Sequence, residues 1–136
     1  MPIGSTRVLA VAFGLAAAAV AWFYFRRGHS LKMAKFADRE EKVLRDIYAE
    51  SFKGSGLTEP SFESTWRELS GMLEISAGKL RPTDRFDVEL APAKGYEFTD
   101  QIREVRYLID KHCSRTGAAV ESIKTVRDYV EAFGAR

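Results

Sequence analysis

The chain has 136 residues, room for one modest domain and an appendage but not for a large enzyme core. Its 21 Lys and Arg only just outnumber its 19 Asp and Glu, and the excess is concentrated in Arg26, Arg27, Lys32 and Lys35 beside an apolar run. That is a membrane-boundary pattern, unlike the basic face of a nucleic-acid binder, and with Cys113 as the sole cysteine and no asparagine the chain has neither an internal disulfide nor an N-glycosylation acceptor.

The first element runs from Val8 to Phe25 without a charge. As a helix at about 1.5 Å per residue it covers roughly 27 Å, close to the hydrocarbon thickness of a bilayer. Trp22 and Tyr24 sit where an aromatic belt meets the headgroups, and Arg26 and Arg27 follow as snorkelling anchors. Ala19-Val20-Ala21 also fits a signal-peptide cleavage site, but cleavage there would leave the aromatic cluster as an apolar mature terminus. Residues 1–27 are therefore expected to be a single-pass anchor. The richer basic flank on the C-terminal side places the following domain in the cytoplasm. Ala10, Gly14 and Ala18 form a small-residue stripe that would admit a second anchor helix, so self-association through this segment is an expectation too.

Residues 28–59 are expected to hold a juxtamembrane amphipathic helix and a break. Phe36, Glu40, Val43, Leu44, Ile47, Tyr48 and Phe52 fall on one helical stripe, packed on the neighbouring domain, and Lys53-Gly54-Ser55-Gly56 ends it. His29, just past the anchor, is expected in solvent.

From residue 60 the spacing predicts three helices. Phe62, Trp66, Leu69, Met72 and Leu73 define the first, opened by Pro60 or Ser61 and closed by Ala77-Gly78. A long connection, residues 79–94, carries Leu80, Phe86, Val88 and Leu90 as apolar pins. The second helix, from Phe98 or Thr99 to His112, presents Phe98, Ile102, Val105, Leu108 and Ile109 to a core, with Thr99 as its N-cap. In the last, Thr125 and Asp128 form the cap, Val126, Tyr129, Val130 and Phe133 form the stripe, and Gly134 offers a left-handed stop. Trp66, Phe86, Ile102, Ile109, Val130 and Phe133 are expected to share one core.

The stretch Met72-Leu73-Glu74-Ile75, then Leu80-Arg81-Pro82-Thr83-Asp84-Arg85-Phe86, Glu89-Leu90 and Ile123-Lys124-Thr125-Val126-Arg127-Asp128-Tyr129-Val130 resembles an acyl carrier protein domain over residues 60–136. The resemblance implies a small three- to four-helix carrier-like bundle, so that with the N-terminal transmembrane helix the expected fold is all-α. Carrier proteins attach phosphopantetheine to the serine of an Asp-Ser-Leu turn at the start of the middle helix. Here the corresponding stretch is Lys94-Gly95-Tyr96-Glu97-Phe98, and no serine lies between Ser76 and Ser114. No attachment residue, and hence no cofactor, is assigned.

No catalytic or metal-binding set is recognisable. His112 and Cys113 are helical neighbours pointing about 100° apart, so they cannot form a base and nucleophile pair by themselves. Asp84, Asp87 and Glu89 lack calcium-loop spacing. The expected function is a non-enzymatic interaction module, with a group carrier or small enzyme of unrecognised chemistry as the alternative. Lys94, Tyr96, Arg103 and Arg106 are the candidate partner-binding residues, because aromatics and arginines are enriched where interfaces concentrate their energy. The partners expected are the membrane, through Val8 to Phe25, and a protein of unknown identity.

Overall fold

The helix that carries the apolar run does not stop at Phe25. In the computed structural model, which describes residues 2–134, the run belongs to one helix, α1, spanning Pro2–Met33. None of the apolar window of α1 is buried by the rest of the chain, so it is no core helix of a soluble fold. It is the one described helix long and apolar enough to cross a membrane. Its last two turns project toward the bundle and end in a 3-10 turn, Ala34–Phe36.

Four shorter helices follow: α2 Leu44–Ser51, α3 Glu59–Leu73, α4 Ile102–Thr116 and α5 Val126–Gly134. Among the described residues the one β element is an isolated antiparallel bridge between Arg85 and Thr125. The architecture is thus all-α, one long apolar helix and a helical bundle. One core unites the bundle: Phe36, Ile47, Phe52 and Leu57 pack with Phe62, Trp66, Leu69 and Leu73 of α3, Ile102, Val105 and Ile109 of α4, and Val126 and Val130 of α5. Phe52, Phe62 and Trp66 meet as an aromatic cluster, with Phe62 centroids 4.8 and 5.2 Å from the other two, and the Trp66 indole donates to the Ala77 carbonyl at 2.8 Å.

Capping chemistry sets the helix ends. The Thr58 hydroxyl accepts from Ser61 N, which starts α3 at Glu59, slightly ahead of the expected Pro60 or Ser61. Glu74, in the left-handed region at φ 54°, ends α3 earlier than the Ala77-Gly78 expected from composition. At α5 the reciprocal cap is present: Asp128 N donates to Thr125 Oγ1, and Lys124 N and Thr125 N donate to Asp128 Oδ2. Gly134 is not a left-handed stop. It remains helical, and a Cβ there would lie 3.2 Å from Leu57 Cδ2 and 3.3 Å from Thr65 Oγ1, so its smallness serves close packing.

The juxtamembrane helix expected from Phe36 to Phe52 is cut to α2. Residues 37–43 instead run along the loop after α3: Lys42 N donates to the Gly78 carbonyl, and Arg81 Nη2 donates to the Glu40 carbonyl. Gly78 permits this, since a Cβ there would sit 2.6 Å from the Lys42 carbonyl oxygen. The Arg39 guanidinium makes a bidentate pair with the buried Asp84 carboxylate at 2.6 and 2.7 Å. The Lys42 amide and the Glu40 carbonyl are backbone groups that a continuous helix would have used, so tertiary partners override the stripe, and Val43, expected on the apolar face, is exposed. Ile47 and Phe52 do pack into the core.

Of the expected core residues, Trp66, Phe86, Ile102, Ile109 and Val130 are buried. Phe133 is half-buried at the edge, stacked on Tyr129 at 4.2 Å and facing His112 at 4.7 Å. Phe98 departs most: it is 83% exposed, because the chain does not become helical until Ile102.

Candidate functional site

The region between the end of α1 and the start of α4 concentrates the polar chemistry of the molecule. Tyr24, Gly28 and Lys32 are spaced four apart and form one edge of α1. Each meets residues 95–100. The Tyr24 and Tyr96 rings lie 4.3 Å apart, and the Tyr24 hydroxyl donates to the Gly95 carbonyl. Gly28 lies under the Tyr96 ring so closely that a Cβ would be 2.8 Å from Cδ1 and 2.9 Å from the tyrosine Cβ. Lys32 is fully buried, and its Nζ donates to Asp100 Oδ1 at 2.7 Å. Burial pushes the Lys32 ammonium below its ordinary value, against the upward pull of the Asp100 carboxylate. Beside them His29 Nε2 stands 3.8 Å from Glu74 Oε2, which also accepts from Gln101 Nε2.

Three expectations are corrected at this junction. Lys32 does not join the basic flank at the headgroups, since its ammonium is inside the protein, and His29 is half-buried, not free in solvent. Asp100, and not Thr99, caps α4: its Oδ1 accepts from Ile102 N at 2.9 Å while the Thr99 hydroxyl donates to the Tyr96 carbonyl. One carboxylate therefore both starts α4 and pairs with the anchor helix. The i, i+4 spacing of Tyr24, Gly28 and Lys32 is the sequence signal that could have located this contact.

The four candidate partner-binding residues have different surroundings. Tyr96 is engaged by α1, Lys94 is exposed at the loop tip, and Arg103 donates to the Phe98 carbonyl. Arg106 lines a cavity of about 300 Å³ with Phe86, Ile109, Val120, Ile123 and Lys124, between α4 and the 3-10 turn Val120–Ser122. Trp22, Tyr24, Arg26 and Arg27, expected at the membrane interface, are all exposed, and the Arg26 guanidinium lies 5.3 Å from the Trp22 ring centroid.

Catalytic chemistry has little to build on. His112 and Cys113 are both buried, His112 Nδ1 has no hydrogen-bond partner, and its ring faces Phe133. Among the described residues no group of His, Cys, Asp and Glu is arranged to hold a metal ion. Asp87 and Glu89 instead serve Arg85, the first through its guanidinium at 3.0 Å and the second by accepting from its backbone N–H. No family model matches the chain, and no curated protein or solved structure is significantly similar to it.

Proposed function

We propose that the chain is a membrane-anchored, non-enzymatic interaction module, a carrier-like helical domain without the prosthetic-group serine, held on the cytoplasmic side of the membrane to engage another protein. The observation that carries this reading is the open apolar cavity on the α4 side, floored by Phe86, Ile109 and Ile123 and rimmed by charges of both signs, Arg106 and Lys124 with Asp87, Asp110 and Glu121. An apolar floor inside a polar rim is the anatomy of a protein contact surface.

The carrier-like relationship is supported by the order of α3, a long loop, α4 and α5, and by Leu80, Phe86 and Leu90, which pin that loop into the core. Thr99, the aliphatic hydroxyl nearest the usual attachment point, lines a groove against α1 and donates to the Tyr96 carbonyl, which suits a structural hydroxyl better than an attachment site. The cytoplasmic placement rests on the exposed Arg26 and Arg27 after the apolar span.

Affinity purification of the full chain from membranes, beside the Arg103→Ala, Arg106→Ala double variant, tests the reading. Both side chains are exposed, so the variant should stay folded and lose the co-purifying protein. Equal recovery of partner by the variant, or intact mass showing a phosphopantetheine adduct on Thr99, would overturn it.

A further inference from the structure

The face of α1 that carries Tyr24, Gly28 and Lys32 continues toward the N-terminus as an apolar groove. Phe13, Ala16, Ala17, Val20, Ala21 and Tyr24 line it, and Thr99 of the bundle closes one end. All of those α1 residues fall inside the uncharged span Val8–Phe25. The loop 95–99 is therefore held at the depth of the aromatic belt, fixed by the tilted Tyr24–Tyr96 ring contact and the Tyr24 bond to Gly95. Its most exposed large side chain is Phe98, in a bundle whose other large aromatics are mostly buried or packed.

From this placement we infer that the loop 95–99 is a second membrane contact, with Phe98 inserted among the lipids of the same leaflet that surrounds Tyr24. The inference rests on the reading of α1 as a membrane-spanning helix.

Two further features fit a lipid environment. Backbone polar groups at the hydrocarbon boundary must be satisfied within the protein, and in this loop they largely are. Tyr96 N donates to the Ala93 carbonyl, Thr99 N to the Tyr96 carbonyl and Gly95 N to Glu97 Oε1. The Gly95 and Phe98 carbonyls accept from Tyr24 and Arg103. Basic side chains also surround the loop: Lys94 adjoins it, Arg103 bonds to it, and Arg26 and Arg27 follow the aromatic belt, all exposed and suited to anionic headgroups. Glu97 is the one acid of the segment, and its carboxylate is occupied by the Gly95 amide. An interfacial phenylalanine with a basic rim is the composition of a monotopic membrane contact.

The test uses full-length chain in vesicles of phosphatidylcholine and phosphatidylglycerol, with nitroxide labels on single cysteines in a Cys113→Ala background. Labels at Phe98→Cys and, within the span, Phe13→Cys should collide freely with oxygen and show a severalfold loss of collision with a water-soluble nickel complex, relative to a label at Tyr107→Cys. If position 13 is in lipid while position 98 matches position 107, the second contact is refuted and the anchor stands. If position 13 is also in water, the anchor reading itself fails. Protection of position 98 that arises only in native membranes, never in pure lipid, would assign Phe98 to a protein partner and overturn the inference.

Discussion

The Lys32 ammonium lies 2.7 Å from Asp100 Oδ1, with the lysine side chain fully enclosed and the aspartate 2% exposed. The two residues come from the anchor helix and from the start of α4, so this buried pair joins the membrane segment to the bundle. Removing one partner of a buried pair leaves an uncompensated charge and costs about 3–5 kcal/mol. Asp100→Asn keeps an oxygen for the Ile102 amide and removes only the charge, so it should destabilise the bundle by about 3 kcal/mol. Adding Lys32→Met should recover most of the loss. Unfolding followed by the buried Trp66 in a Trp22→Phe background measures both. Because burial already holds Lys32 below 10.5, the unfolded chain binds more protons as that value is approached from below. Asp100→Asn removes the carboxylate's upward pull on Lys32 and lowers its folded-state value further than in the parent, so the variant gains more stability as pH rises toward 10.5 and its deficit should shrink.

Gly28 predicts an inverted glycine effect. In an isolated helix interior, Gly→Ala is stabilising by about 1 kcal/mol. Here Gly28→Ala should lower bundle stability, because the added methyl meets the Tyr96 side chain at 2.8–2.9 Å. Combining it with Tyr96→Ala should remove the part of the penalty that comes from the ring and leave the part from the residue-96 Cβ, which stays 2.9 Å from the methyl. A stabilised single variant would show that α1 does not seat on the loop.

The Arg39 fork predicts that lysine is no substitute. Arg39→Lys keeps the charge but loses the two parallel bonds to Asp84 and the stacking of the guanidinium over Phe36, whose ring centroid is 4.6 Å away. A loss of about 1–2 kcal/mol is expected in denaturant unfolding. An Arg39→Lys chain as stable as the parent would show that the 37–43 segment is not held by this pair.

Tyr129 predicts the alkaline limb. Burial, helped by Glu68 and Glu104, pushes its phenol up to about 12 from 10.0. The folded state therefore keeps a proton that the unfolded chain loses above pH 10, so stability is intact below that value and falls between about 10 and 12. Tyr129→Phe should flatten this limb, read by thermal unfolding against pH with phenolate absorbance as the check.

The anchor, the number of bundle helices and most of the core are legible in the sequence because each depends on local runs: an uncharged apolar stretch, and stripes such as Phe62, Trp66, Leu69 and Val126, Tyr129, Val130. What sequence leaves hidden depends on partners distant along the chain. Lys32 reads as a headgroup contact until Asp100, 68 residues away, is seen to receive it. Phe98 has the right phase for the stripe of Ile102, Val105 and Ile109, but periodicity does not say where a helix begins, and the Asp100 cap starts it after Phe98 has passed. The stripe from Phe36 to Phe52 fails for a similar reason, since Arg39 and Lys42 find stronger partners across the chain in Asp84 and Gly78. The candidate surface is the least legible part: Tyr96 has the composition of an interface residue, and its interface is with the chain's own anchor.

If α1 anchors the bundle in a membrane, it must stay part of the chain. Alkaline carbonate extraction of membranes carrying the full chain, followed by intact mass and N-terminal sequencing of each fraction, tests it most directly. An uncleaved chain retained in the membrane pellet is expected, whereas a soluble chain beginning near Trp22 would show that the helix is removed.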